Sequence, residues 1–175
     1  MSHLNLTVEL AEKSNFCNRY LELCSRYSES LLMDTTDLRQ GYPSSLATNK
    51  KKVVDNKLVN SIFDSLGYRY KYFGGEKFYR VYLWKGMEYE VWFHLQLYKN
   101  SLFDGFLDPH VYIRYNGKYF AGGTFPCIFE SAGGVKPTKY MLRPAYTGEA
   151  LPELIKELID LAFSYVREFS ELEIK

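Results

Sequence analysis

The chain lacks several things at once. No apolar run approaches the ~18 residues of a membrane-spanning helix, so no membrane segment is expected. Its start, Met1-Ser2-His3-Leu4-Asn5, has no charged segment leading into an apolar one, so no secretion signal is expected. There are only three cysteines. In a helical pattern, Cys17 and Cys24 share a face but sit about 10.5 Å apart along the axis, beyond the ~7 Å a disulfide spans. They read as buried thiols of a reducing compartment, and the expected location is the cytoplasm. Net charge is almost absent: 22 basic and 21 acidic side chains leave +1. That excludes a globally basic nucleic-acid binder and an acidic nucleic-acid mimic. Also missing are G-x-S-x-G, Walker-type, C-x-x-C and H-E-x-x-H patterns. No catalytic residue, cofactor or metal is therefore expected.

What is present is an ordinary globular composition. The 175 residues, 46% apolar and 25% charged, fit one domain. Charge is uneven, because residues 49–87 hold nine lysines and arginines against three acidic residues. The run Lys50-Lys51-Lys52 reads as a solvated junction.

The period of the apolar residues orders the chain. Phe16, Tyr20, Leu23, Cys24, Tyr27 and Leu31 recur at threes and fours and predict a first helix over 7–33, with Thr7 as its cap. Residues 34–52 read as a long polar loop. A second helix over 54–66 has Leu58, Ile62 and Leu66 on its inner face and ends at Gly67. The period then drops to two. Strands are predicted at 68–72, 77–84, 87–98, 110–115 and 118–125, with Asn116-Gly117 as the clearest hairpin turn. Gly122-Gly123 suggests a bulge in the last of these strands.

Residues 126–148 look irregular, with a short strand at 139–142. The glycine pairs of Ala121-Gly122-Gly123 and Ala132-Gly133-Gly134 read as turns with no helix after them. A last helix starts near Pro152, and Leu154, Leu158, Leu161, Tyr165 and Leu172 form its stripe. The expected fold class is α+β: two N-terminal helices, an antiparallel meander of about five strands, and a C-terminal helix packed on one sheet face.

The alternation predicts two unlike sheet faces. Val81, Tyr89, Val91, Phe93, Leu95, Val111 and Ile113 point to the core. Arg80, Tyr82, Trp84, Trp92, His94, Tyr112 and Arg114 point away and form the candidate partner-binding set. Trp, Tyr and Arg are the types enriched at binding hot spots. The same face has plainer readings, as aromatic cross-strand pairs or as a face covered by the loop or a helix. His94 and His110, with Glu90 nearby, suggest acid–base chemistry or metal binding only in outline, since no ligand spacing supports it. A partner-facing His94 would make affinity vary between about pH 5.5 and 7.5.

One resemblance enters here. The short helix ending in Leu66-Gly67-Tyr68, the Tyr-rich hairpin strands to Tyr82, and the stretch from Leu151-Pro152-Glu153-Leu154-Ile155 to Leu172 resemble small bacterial immunity proteins of polymorphic-toxin and contact-dependent inhibition systems. The likeness lies in size, element order and single-domain character. It implies a non-enzymatic cytoplasmic protein that binds and neutralises a cognate protein toxin domain. The near-neutral charge departs from the acidic members of that group and argues against charge mimicry. The alternative is a nucleic-acid or small-ligand binder using the same face. Against nucleic acid stand the low net charge and the missing aromatic–glycine signature of RNA-binding sheets.

Overall fold

A computed structural model describes residues 3–28, 56–86, 88–98, 105–134, 143–146 and 148–172. The predicted 34–52 loop, the Lys50–Lys52 run and the 139–142 strand lie outside the described residues. Among the described residues, α1 (His3–Lys13), α2 (Phe16–Ser28) and α3 (Asn56–Leu66) precede the sheet. Strands β1 (Tyr70–Phe73), β2 (Phe78–Lys85), β3 (Tyr89–Tyr98), β4 (Gly105–Tyr115) and β5 (Lys118–Thr124) follow. Then come α4 (Phe125–Ser131), β6 (Ala145–Tyr146) and α5 (Leu151–Leu172). The sheet order is β1-β2-β3-β4-β5, antiparallel throughout, with β6 added alongside β4. The α+β class and the meander are as the sequence predicts.

The predicted first helix is two helices. Asn15 takes φ +53°, a left-handed conformation that asparagine tolerates. Its carbonyl accepts the first bond of α2, from the Arg19 amide. The break has a reason in the sequence: Leu6, Leu10 and Ala11 fall out of phase with Phe16, Tyr20 and Leu23, and the kink brings both sets into the core. Thr7 is no cap. It lies buried within α1, where its Oγ1 accepts a hydrogen bond from the Gly122 amide of β5. Helix α3 is also rotated from expectation. Val59, Ile62 and Phe63 are buried, whereas Leu58 is 39% exposed. Gly67, at φ +73°, ends it as predicted.

After β5 the irregular reading fails. Thr124 caps α4 by accepting from the Cys127 amide, and Pro126 sits in its first turn. The first glycine pair therefore does lead into a helix. Strand β4 starts five residues before the predicted His110 and runs through Pro109. Pro109 pairs with Leu95 of β3, and falls between the stretches where β6 and β5 flank β4 on its other edge. Its missing N–H is tolerated there. The Asn116-Gly117 turn has φ of +46° and +75°, as a tight two-residue hairpin requires. The bulge in β5 falls at Phe120, just before the glycine pair, where the register with Ile113 and Arg114 shifts.

One face of the sheet carries the core. Val81, Val91, Phe93, Leu95, Val111 and Ile113 are fully buried, and so are Leu154, Leu158 and Tyr165 of α5; Leu161 is nearly so. The side chain of Leu172 lies outside the described residues. An aromatic knot ties the helices together: Phe16 meets Phe125 edge-on at 5.0 Å and Tyr165 at 5.7 Å, and Tyr20 meets Phe125 at 5.4 Å. Such pairs add ~1 kcal/mol each beyond simple area burial.

Candidate binding face of the sheet

The opposite face is built by register. Trp92 of β3 stands level with Tyr82 of β2 and Tyr112 of β4. Two residues along, His94 stands level with Arg80 and His110. Six of the seven predicted residues therefore gather on one surface: Arg80, Tyr82, Trp92, His94, Tyr112 and Arg114.

Trp84 does not join them. A bulge at Leu83 makes Tyr82 pair with Trp92 but Trp84 pair with Val91, a core position. The inserted residue turns Trp84 to the helix side. There it is 44% exposed and borders a cavity of about 350 Å³ with Leu83 and, from α5, Phe163, Val166 and Phe169.

The centre of the face is a stack of guanidiniums and rings. The Arg80 guanidinium carbon lies 3.8 Å from the Trp92 ring centroid and 4.7 Å from that of Phe73 in β1. Arg114 approaches Trp92 from the other neighbouring strand, at 4.7 Å. Each such contact contributes about 0.5–2 kcal/mol, more as water is excluded. Arg80 Nε donates to His94 Nε2 at 3.0 Å, which requires that nitrogen to be unprotonated. The imidazole is itself packed by Phe78 at 4.6 Å and Tyr112 at 5.1 Å. Burial first, then the charge of Arg80 and the proximity of His110, push the His94 pKa down to about 3. This corrects the expectation of a neutral-range titration, because His94 stays uncharged throughout that range.

A second cluster adjoins. His110 Nδ1 is 2.9 Å from the Tyr112 hydroxyl, and Nε2 is 3.5 Å from Asp108 Oδ2. Asp108 accepts from Arg143 Nε at 2.9 Å and Nη2 at 3.3 Å. Burial alone would raise the Asp108 pKa, but hydrogen bonding to His110 and Arg143, with the Arg143 charge, holds it below the usual value. The His110 contact is the longest of the three, so the bidentate Arg143 is the firmer anchor. The face is not uniformly open. Phe78, stacked on Phe73 at 4.8 Å, is 8% exposed, and Asp108 is buried too.

Phe73, Asp108 and Arg143 belong to this surface yet escaped the sequence reading. Extending the β1 alternation by one residue places Phe73 outward. Asp108-Pro109 reads locally as a turn, and nothing local brings Arg143 to it. Among the described residues, no group of three His, Cys, Asp or Glu side chains is placed to hold a metal ion, so the His94–His110 pairing with Glu90 builds no ligand set. Among them, too, no helix is long and apolar enough to cross a membrane.

Fold and site together define an α+β protein with helices on one sheet face and an arginine–aromatic surface on the other. No family model, no curated protein and no solved structure matches the chain.

Proposed function

We propose that this chain is a cytoplasmic, non-enzymatic protein-binding module, an immunity protein that neutralises a cognate toxin domain through the outer sheet face. The observation that carries the reading is Trp92, flanked by Arg80 and Arg114 at the middle of that face. Large, rigid side chains with polar tips, held in place before binding, lose little entropy on association, and Trp, Tyr and Arg dominate hot spots for that reason. The competing nucleic-acid reading needs ring faces free for bases. Here the protein's own guanidiniums and imidazoles pack against Trp92 and Tyr112.

The test is a paired measurement. Wild-type protein should capture one polypeptide from its native cells, and that polypeptide should arrest growth when expressed without this chain. Trp92→Ala and Arg114→Ala should each weaken the complex by about 2 kcal/mol, roughly thirtyfold. Both side chains are half-buried. Folding stability should fall by about 1 kcal/mol for Arg114→Ala and by about 2–3 kcal/mol for Trp92→Ala, which loses both guanidinium contacts. Binding is therefore compared at a temperature where each variant is folded. Undiminished capture by both variants would move the interface elsewhere, and capture of nucleic acid alone would favour the second reading.

A further inference from the structure

The geometry points to Arg80 as a preset carboxylate receptor, and to the partner of this face as a protein surface carrying clustered Asp and Glu side chains; this rests on the protein-binding reading above. Phe73 and Trp92 both pack against the guanidinium, and His94 holds Nε. Those three contacts fix the group and consume only one of its nitrogens. Among the described residues, neither Nη group of Arg80 has a hydrogen-bond partner, and neither is sealed from solvent. A guanidinium held this way offers two parallel donors, the match for a carboxylate.

The charge around it points the same way. Glu90 pairs with Lys85 and Asp108 with Arg143. Among the described residues, Arg80 and Arg114 have no carboxylate within ion-pair distance, although Glu90 stands level with Arg114 in the sheet. Two guanidiniums within 4.7 Å of one ring centroid therefore leave a local surplus of positive charge. His94 cannot add to it, being held neutral. Two concentrated charges in an otherwise balanced chain suit a compact acidic patch better than the long phosphate track of a nucleic acid.

The probe is a hexaglutamate peptide, titrated into a Trp84→Phe background so that the fluorescence reports Trp92 alone. A saturable change is expected, weakened by added salt. Arg80→Lys keeps the charge but loses fork and stack, and should weaken binding at least fivefold; Arg80→Ala should weaken it at least tenfold. Calorimetry checks that both variants fold. No saturable change at millimolar peptide, wild-type binding by Arg80→Lys, or tighter binding of an oligothymidylate of equal charge would each overturn the inference. The two proposals fail separately. A captured partner that depends on Trp92 but is indifferent to Arg80→Lys sinks only the carboxylate receptor. Hexaglutamate binding without any Trp92-dependent partner leaves Arg80 as a carboxylate receptor and sinks the protein-binding reading together with the acidic protein partner inferred from it.

Discussion

His94 shows how a side chain can be placed correctly by alternation and still have its chemistry misread. A histidine on an outer strand face ordinarily titrates near 6.5. Here burial, Arg80 and His110 depress the value to about 3. Between those values the unfolded chain holds a proton that the folded chain refuses. Stability is therefore full above about pH 6.5 and declines as the pH falls toward 3. Asp108 adds to the decline at its lower end: its folded pKa is depressed, so its contribution is present above the ordinary carboxylate value and lost as pH falls through the folded one. His94→Gln keeps a carbonyl acceptor for Arg80 Nε and removes the histidine's share. The wild-type melting temperature should fall steadily from about pH 6.5 to 4, while that of His94→Gln stays flatter. Parallel curves would mean that another group governs the slope.

At the scale of elements, β3 was readable because a half-buried antiparallel strand prints its two faces as alternate residues. Its neighbour β2 was readable only as far as Tyr82. A bulge adds one residue without changing composition, so the sequence around Leu83 gives no sign that Trp84 changes sides. The split of the N-terminal helix did leave a trace, in the phase slip between Leu10 and Phe16, though Asn15 alone looks like any polar helix residue. Arg143 reaches Asp108 only through the tertiary fold, and local pattern carries no information about it.

Strand β5 supplies the sharpest test at this scale. Gly122 has φ +102°, and a Cβ there would stand 2.1 Å from the Val111 carbonyl oxygen of β4. Its amide also holds Thr7 of α1. Gly122→Ala should therefore force the two strands apart and cost about 3 kcal/mol or more, read as a drop in the urea midpoint. At Gly117, where a Cβ meets nothing, alanine pays only for the backbone conformation, and the loss should be about 1 kcal/mol. Equal losses would show that β5 yields more easily than its packing implies.

For the molecule as a whole, the three thiols report how tightly it holds together. Cys127 is exposed on α4, Cys17 is half-buried, and Cys24 lies in the core. Burial pushes the Cys24 pKa up to about 12, so it is protonated as well as hidden. All three are unpaired. Labelling with a thiol reagent should modify Cys127 promptly, Cys17 more slowly, and Cys24 only on global unfolding; peptide mass spectrometry assigns each. Prompt labelling of Cys24 would mean that α2 opens independently of the rest, and a melting temperature that changes on reduction would mean that a disulfide forms.

The hydrogen bonds of Thr7 also set an order of events during synthesis. Its side chain waits for Gly122, 115 residues later, and its carbonyl for the Tyr165 hydroxyl, 158 residues later. At ribosomal speeds of about 5–20 residues per second, that is roughly 8–30 s. Until the strands are made, Leu6, Leu10, Phe16 and Tyr20, all buried in the finished fold, have no sheet to lie on, and Phe16 waits to the end of that interval for Tyr165. The nascent chain thus carries a greasy segment that is covered only in stages, by the sheet and then by the last helix, and its yield in the cell is tied to whatever shelters that segment until then.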